Sequence, residues 1–149
     1  MEKIYLAGSC SSDKRTMMQT VAKALRNEGF EVYCPFELKI SNAWDMSQEE
    51  WGRRVFHKDL EALDACDIFL MITPGRHSTA GTNWEQGYAY AKGKKIIVVQ
   101  YTNNDTSLMT YSSANQFIQI GEIREDNLPE AVMMGLFHKN KHRCDTVLT

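Results

Sequence analysis

Glu85 is the side chain whose type and position can support covalent chemistry at a carbon centre. Glu85 lies in Gly81-Thr82-Asn83-Trp84-Glu85-Gln86-Gly87-Tyr88-Ala89, which follows the apolar run Ile68-Phe69-Leu70-Met71-Ile72 and a polar loop from Thr73 to Ala80. A strand that ends in a glycine-bearing loop and opens a helix is where open α/β sheets bind small ligands. A carboxylate in the first turn of that helix feels the positive end of the helix dipole, which favours its ionised form. An ionised carboxylate at the mouth of a cleft can attack an electrophilic carbon. The same spacing has a second meaning: Thr82-x-x-Glu85 is a capping box, in which Glu85 turns back to close the helix start. One carboxylate cannot do both. The expectation is that Glu85 faces the cleft and Thr82 caps alone.

Asp59, Asp64 and Asp67 cluster at the end of the preceding helix and the start of the next strand. Asp59 and Asp67 are candidates to face the same cleft, the alternative being a solvated helix face. Gly8-Ser9-Cys10-Ser11-Ser12-Asp13-Lys14-Arg15 brings amides, hydroxyls and two cations to a helix start. That suits an anionic or hydroxyl-rich ligand, although an ordinary capped loop reads the same way. It is not a P-loop, because the second glycine and the Gly-Lys-Ser/Thr ending are absent. His138-x-x-x-His142-x-Cys144 has zinc-like spacing but no second ligand pair upstream, so it reads as a solvated basic tail and no metal site is expected. Trp44 and Trp51 flank a long loop, either covering a flat ligand or packing on the sheet edge. No Gly-x-Ser-x-Gly nucleophile motif occurs.

The elements that must position these groups alternate along the chain. Lys3 to Ala7 reads as a buried strand. A helix capped by Ser12 or Asp13 then runs to about Asn27, with Met17, Val21, Ala24 and Leu25 at helical spacing. Gly29 ends it before a strand over Glu31 to Cys34. After the loop from Pro35, Ser47-x-x-Glu50 opens a helix to about Ala65, with Val55, Leu60 and Leu63 on its buried face. Strands follow at Asp67 to Thr73, Lys95 to Tyr101 and Phe117 to Ile120. Between them lies the Gly81 to Lys92 helix, with Trp84, Tyr88 and Ala91 as its core stripe. Ser107 to Ala114 reads as irregular or briefly helical. A last helix starts at Asn127-Leu128-Pro129 and reaches about His138; the tail from Lys139 reads as polar and mobile. Alternation of this kind predicts an α/β fold: a flavodoxin-like, doubly wound, five-stranded parallel sheet in the order 2-1-3-4-5, helices on both faces. Its switch point sets Gly8-Ser9 beside the Thr79 to Glu85 loop.

Composition narrows the function classes. The chain has 149 residues, which fits a single domain over 1–149. A net charge of −2 argues against a broad nucleic-acid surface. No apolar run approaches the ~20 residues of a membrane span. The chain starts directly on a strand, so the expected location is the cytoplasm. Cys10, Cys34, Cys66 and Cys144 show no paired spacing and read as reduced thiols.

The ordered set of motifs resembles the nucleoside 2-deoxyribosyltransferase family, including its relatives, the 2′-deoxynucleoside 5′-phosphate N-hydrolases. The matching pieces are Lys3-Ile4-Tyr5-Leu6-Ala7-Gly8, Asp59-Leu60-x-x-Leu63-x-x-x-Asp67, the Gly81 to Ala89 segment, Gly93-Lys94-Lys95-Ile96-Ile97, Ser107-Leu108-Met109 and Ser113-Ala114-Asn115. Together they span about residues 3 to 120. The resemblance implies that Glu85 is the nucleophile, that Asp59 handles the leaving base, and that Tyr5 lies beside the sugar and the nucleophile. It implies substrate contacts at Gly8, Ser9, Gly81, Met109 and Asn115. The family's Asn-Leu-Met segment, which reaches a neighbouring subunit's site, reads Ser107-Leu108-Met109 here. Thr79 stands where the transferase branch carries an aspartate, while the hydrolase branch has a phosphate-binding serine there. Gly8-Ser9 matches that hydrolase branch, and Lys14 or Arg15 stands for its phosphate-binding arginine.

The implied reaction is cleavage of the N-glycosidic bond of a 2′-deoxynucleoside through a covalent 2-deoxyribosyl-Glu85. The sugar then passes to another base, or to water in a hydrolase acting on the 5′-monophosphate. A non-catalytic nucleotide sensor on the same fold is the third reading. The reaction needs an ionised Glu85 and a neutral Asp59, a split assigned to the helix dipole and to burial respectively. No metal or organic cofactor is required. The implied partners are small molecules, a deoxynucleoside or deoxynucleotide and a free base, with a homo-oligomer sharing active sites and with neither nucleic acid nor membrane.

Overall fold

β1 (Lys3–Ala7), β3 (Ile68–Thr73) and β4 (Lys95–Gln100) form the deepest part of the protein, with only Lys3 and Lys95 exposed. Strands buried on both faces are what a parallel sheet covered by helices requires. The computed structural model describes residues 1–119, 123–124, 126–137 and 147–148. β2 (Glu31–Tyr33) pairs with β1 on one side, and β6 (Gln116–Ile118) pairs with β4 on the other. All four pairings are parallel and the sheet order is β2-β1-β3-β4-β6. This is the doubly wound arrangement expected from sequence, with the fifth sheet strand being the sixth along the chain. The extra strand is β5 (Thr106–Ser107), which pairs in parallel with β7 (Val147–Leu148). Within the tail expected to be mobile, Val147 and Leu148 are paired; its other residues, with His138, His142 and Cys144, lie outside the described residues.

Alternation along each strand sends side chains to two separate cores. Ile4, Leu6, Leu70, Ile72, Ile97 and Val99 meet α1 (Arg15–Asn27) and α5 (Leu128–Phe137) on one face. Tyr5, Ala7, Phe69, Met71, Ile96 and Val98 form the other core with Leu63 and Ala89. Those two residues belong to α2 (Gln48–Ala65) and α3 (Ala80–Ala91). α4 (Leu108–Ser112) is the brief helix expected before β6.

The helix starts differ in how they follow the sequence. Ser47 caps α2 as expected, its hydroxyl accepting from the Glu50 amide at 3.1 Å. α1 has no side-chain cap: Asp13 accepts from the Ser11 hydroxyl at 2.6 Å instead, so the loop bonds to itself and the helix begins at Arg15. Leu63 is the fully buried residue of α2, while Val55 and Leu60 are half-buried. The buried stripe of α3 is Thr82, Gln86 and Ala89, not Trp84, Tyr88 and Ala91. The reason is polar satisfaction. The Gln86 amide donates to the Thr110 carbonyl at 3.0 Å and to the Ser113 hydroxyl at 2.9 Å, which makes its burial tolerable. Exposed Trp84 stacks at 5.6 Å on half-buried Tyr88, which packs at the margin of the core.

The loop after β3 is pinned by Gly75, whose φ of 116° is open to glycine and strained for other residues. A Cβ there would meet the Asp105 carbonyl oxygen at 2.6 Å.

Candidate active site

The cleft opens at the carboxyl ends of β1 and β3, where the strand order reverses. Its volume is about 660 Å3. Gly8, Cys10, Asp59, Thr79, Gly81 and Glu85 supply its polar edge, and Phe56, Leu60 and Trp84 an apolar wall.

Glu85 reaches this cleft because α3 starts three residues earlier than the capping box predicts. Thr79 is the N-cap, and its hydroxyl accepts from the Thr82 amide at 3.4 Å. Thr82 therefore sits inside the first turn rather than at the cap. Its hydroxyl donates to the Gly8 carbonyl at 3.3 Å, which ties α3 to the end of β1. Glu85 is left clear of the backbone, and its Oε2 accepts a short hydrogen bond from the Tyr5 phenol. Burial pushes the Glu85 carboxyl up to about 7; the Tyr5 bond works against that rise and the nearby Asp59 charge adds to it. Desolvation thus outweighs the helix dipole at Glu85, which was expected to stay in the ordinary ionised range. Burial and the Glu85 charge push the Tyr5 phenol up in turn, so it remains a donor.

Asp59 projects from α2 toward the same space. Burial raises its carboxyl above the usual range, opposed by a hydrogen bond from Tyr33 to Oδ1 at 2.8 Å. Tyr33 and Tyr5 stand side by side because β1 and β2 pair in that register. Their rings stack at 5.4 Å, and Tyr5 stacks on Phe69 of β3 at 5.8 Å. Two adjacent phenols, both carried by the sheet, each hold a carboxylate carried by a helix. Asp67 does not join them. It precedes β3 at the opposite end of the sheet, where its Oδ2 accepts from the Lys3 amide at 2.8 Å. Asp64 accepts from the Tyr88 phenol at 2.6 Å, outside the cleft.

A second, polar chamber of about 380 Å3 shares Thr79 and Thr82 with the cleft. Ser9, Ser11, Lys14, His77 and Ser78 line it. Lys14 therefore faces this chamber, whereas Arg15 lies within electrostatic reach of Cys10 in the main cleft. Met109 is 74% exposed and lies with Ser107 in a separate groove beside α3. Asn115 is engaged in the sheet: its Oδ1 accepts from the Ile96 amide at 2.7 Å. Neither Met109 nor Asn115 lines the cleft of its own chain.

Reading of the sequence missed Tyr33 and Phe56. A signal for Tyr33 exists: β1 and β2 each carry a tyrosine two residues after their first position. Phe56 lies outside the apolar positions Val55, Leu60 and Leu63 that the helical spacing picks out on α2, and it lines the cleft. Trp44 is 82% exposed and covers nothing in its own chain's cleft. Cys10, Cys34 and Cys66 are free thiols. Among the described residues no cluster of His, Cys, Asp or Glu has a metal-binding arrangement, and no helix is long and apolar enough to cross a membrane.

Comparison with known proteins bears on the fold and the family. A nucleoside deoxyribosyltransferase of Lactobacillus johnsonii is 24% identical over 81 residues, covering 52% of this chain and 54% of the relative. The chain thus spans about half the length of that curated relative. A 2-deoxyribosyltransferase structure from Bacillus psychrosaccharolyticus superposes with a TM-score of 0.71 at 26% identity, over 85% of this chain and 90% of that one. A CMP N-glycosidase from Clostridium botulinum shares the fold, with a TM-score of 0.60 at 20% identity over 89% of this chain and 99% of that one. The family model for nucleoside 2-deoxyribosyltransferase matches residues 4–142, and the chain belongs to that family.

Proposed function

We propose that the chain is a nucleoside 2-deoxyribosyltransferase working through a covalent 2-deoxyribosyl-Glu85 intermediate. The observation that carries this reading is the Tyr5 phenol holding Glu85 in the cleft, with Asp59 beside it. Glu85 attacks C1′ from the face opposite the base. As the C1′–N bond breaks, its electron pair leaves with the base, and Asp59 supplies the proton that neutralises it. An incoming base then gives its proton to Asp59 and displaces Glu85, so two inversions retain the β configuration. Tyr5 favours the charged form of Glu85 and aims it.

The protonation logic follows from the pair. Burial raises both carboxyls, Glu85 to about 7, and the Asp59 charge adds to the rise at Glu85. Turnover needs Glu85 ionised and a proton on Asp59. Activity on bases that leave poorly therefore falls as pH drops below about 7 and Glu85 takes up its proton, and falls again in base once Asp59 has lost its own. The mechanism uses no metal or organic cofactor. Exposed Trp84 and Tyr90 on α3, with Leu108 and Met109 on α4, suit contact with a second copy, in which Met109 reaches the neighbour's site.

The polar chamber behind Thr79 favours one alternative: the substrate is a 2′-deoxynucleoside 5′-monophosphate, with Ser9, Thr79 and Lys14 or Arg15 taking the phosphate and water as acceptor. Incubation with deoxyinosine plus free adenine, and separately with deoxynucleotides, separates the readings by chromatography. A new deoxynucleoside is the expected product. Free base from the nucleotide alone assigns the hydrolase, and binding with no product assigns a sensor.

Asp59→Asn is expected to slow release of adenine or cytosine by roughly a hundredfold or more, the scale of a lost general acid. Release of 7-methylguanine, a base that departs without protonation, should slow far less. Equal slowing of both bases argues against Asp59 as the acid.

A further inference from the structure

We propose that Tyr33 is a positioning residue that gives the two oxygens of Asp59 separate duties. Oδ1 is held as an acceptor, and Oδ2 is left as the atom that delivers the proton to the leaving base and later recovers it. The proposal rests on the glycosyl-transfer reading above, in which Asp59 is the acid.

Three observations carry it. The Tyr33 phenol donates to Oδ1 at 2.8 Å, a full hydrogen bond that occupies that oxygen as an acceptor. The Tyr33 ring cannot swing away freely, because it stacks on fully buried Tyr5 and shares its register across β1 and β2. Asp59 itself lines the cleft, so its second oxygen is the one open to a bound base. A phenol cannot take up a proton at neutral pH, and this one is pushed further from ionisation by burial and by Asp59. Tyr33 therefore stays a donor throughout the cycle.

The proton moves in one balanced step each way. As the C1′–N bond breaks, its electron pair goes to the base nitrogen, the Oδ2 proton joins it, and Asp59 is left as an anion. The Tyr33 bond stabilises that anion without accepting anything. In the second half-reaction the incoming base returns a proton to Oδ2. The ionisable groups felt around this pair are Tyr5 on β1, Glu85 on α3, Cys10 in the loop after β1 and Glu61 on α2. All of them remain in place when Tyr33 changes.

The test is Tyr33→Phe, which keeps the stacked ring and removes the donor. In full-length protein with deoxyadenosine, kcat is expected to fall about tenfold, and the kcat/KM profile to move about one pH unit upward because the Asp59 anion loses its donor. KM should change little. The loss should be concentrated on bases that need a proton, and adding Tyr33→Phe to Asp59→Asn should cost almost nothing further. An unshifted profile, or full additivity in the double variant, overturns the proposal. A readout independent of turnover separates this proposal from the reaction itself. In protein labelled with 13C at the aspartate carboxyls, the Asp59 signal, assigned by its absence in Asp59→Asn, should titrate at higher pH in Tyr33→Phe. An unchanged midpoint sinks the Tyr33 assignment even if the enzyme turns over, whereas a wild-type protein that cleaves no deoxynucleoside or deoxynucleotide sinks the reaction and not the titration. Should Tyr33→Phe not fold, Tyr33→Trp keeps an aromatic surface and allows the same carboxyl titration.

Discussion

Glu85→Ala is expected to lower base exchange by on the order of 10⁴-fold, the scale seen when a covalent nucleophile is deleted. The fold should survive, because Glu85 contacts the cleft rather than the core and takes no part in capping α3. The expected signature goes beyond loss of rate. In the alanine variant a small external anion such as azide fits the vacated space and attacks C1′ directly, so azide should restore part of the activity and yield the deoxyribosyl azide. With wild-type protein and no acceptor base, mass spectrometry of the quenched enzyme should show one deoxyribosyl group on the peptide carrying Glu85. Near-normal turnover in Glu85→Ala, or an adduct on another peptide, removes Glu85 as the nucleophile.

The second large effect is on stability. Burial holds the Glu85 carboxyl near 7, above its ordinary 4.5, so the folded protein binds its proton more tightly than the unfolded chain does. The penalty for charging it is absent below pH 4.5, grows between 4.5 and 7, and is complete above 7. Glu85→Gln keeps an acceptor for Tyr5 and removes the charge. It should therefore stabilise the protein at pH 8 by on the order of 2 kcal/mol, raising Tm by roughly 5 °C, and do almost nothing at pH 4. Thermal melts at both pH values check this. An equal gain at pH 4 and pH 8 contradicts a raised carboxyl. Glu85→Gln would be both more stable and inactive, the trade expected where a charge is kept in a dry site for chemistry.

The frame of the fold is legible in the chain because buried parallel strands are near-continuous apolar runs. Ile68 to Ile72 and Ile96 to Val99 admit few other readings, and alternation with helices then gives the sheet order. The Ser47 cap is legible because Ser47-x-x-Glu50 is a complete capping box directly before the helix. The start of α3 is not, since Thr79 and Thr82 both have a suitable partner three residues on, and local spacing cannot choose between them. What decides is tertiary: Thr82 bonds to the Gly8 carbonyl, from a strand 74 residues away. Asp67 was misplaced for a related reason. Proximity in sequence put it near Asp59, but the helix and the strand run in opposite directions across the sheet, so the two carboxylates end at opposite poles. Trp84 illustrates the limit of apolar periodicity. A buried glutamine with two partners took the inner face of α3, and the indole was left on the outside.

The paired phenols have a consequence for folding. Tyr5 and Tyr33 reach their carboxylates only when β1 and β2 are in register, and β1 is also locked to β3 at Tyr5 and Phe69. Parallel neighbours are joined by crossovers, so these contacts are non-local and form late relative to helices. A fragment or intermediate that contains α2 and α3 but lacks the registered strands carries both acids with nothing to aim them. On the proposed reading, the chemistry waits for the strands to pair in register, since a form without them holds neither carboxylate against its phenol.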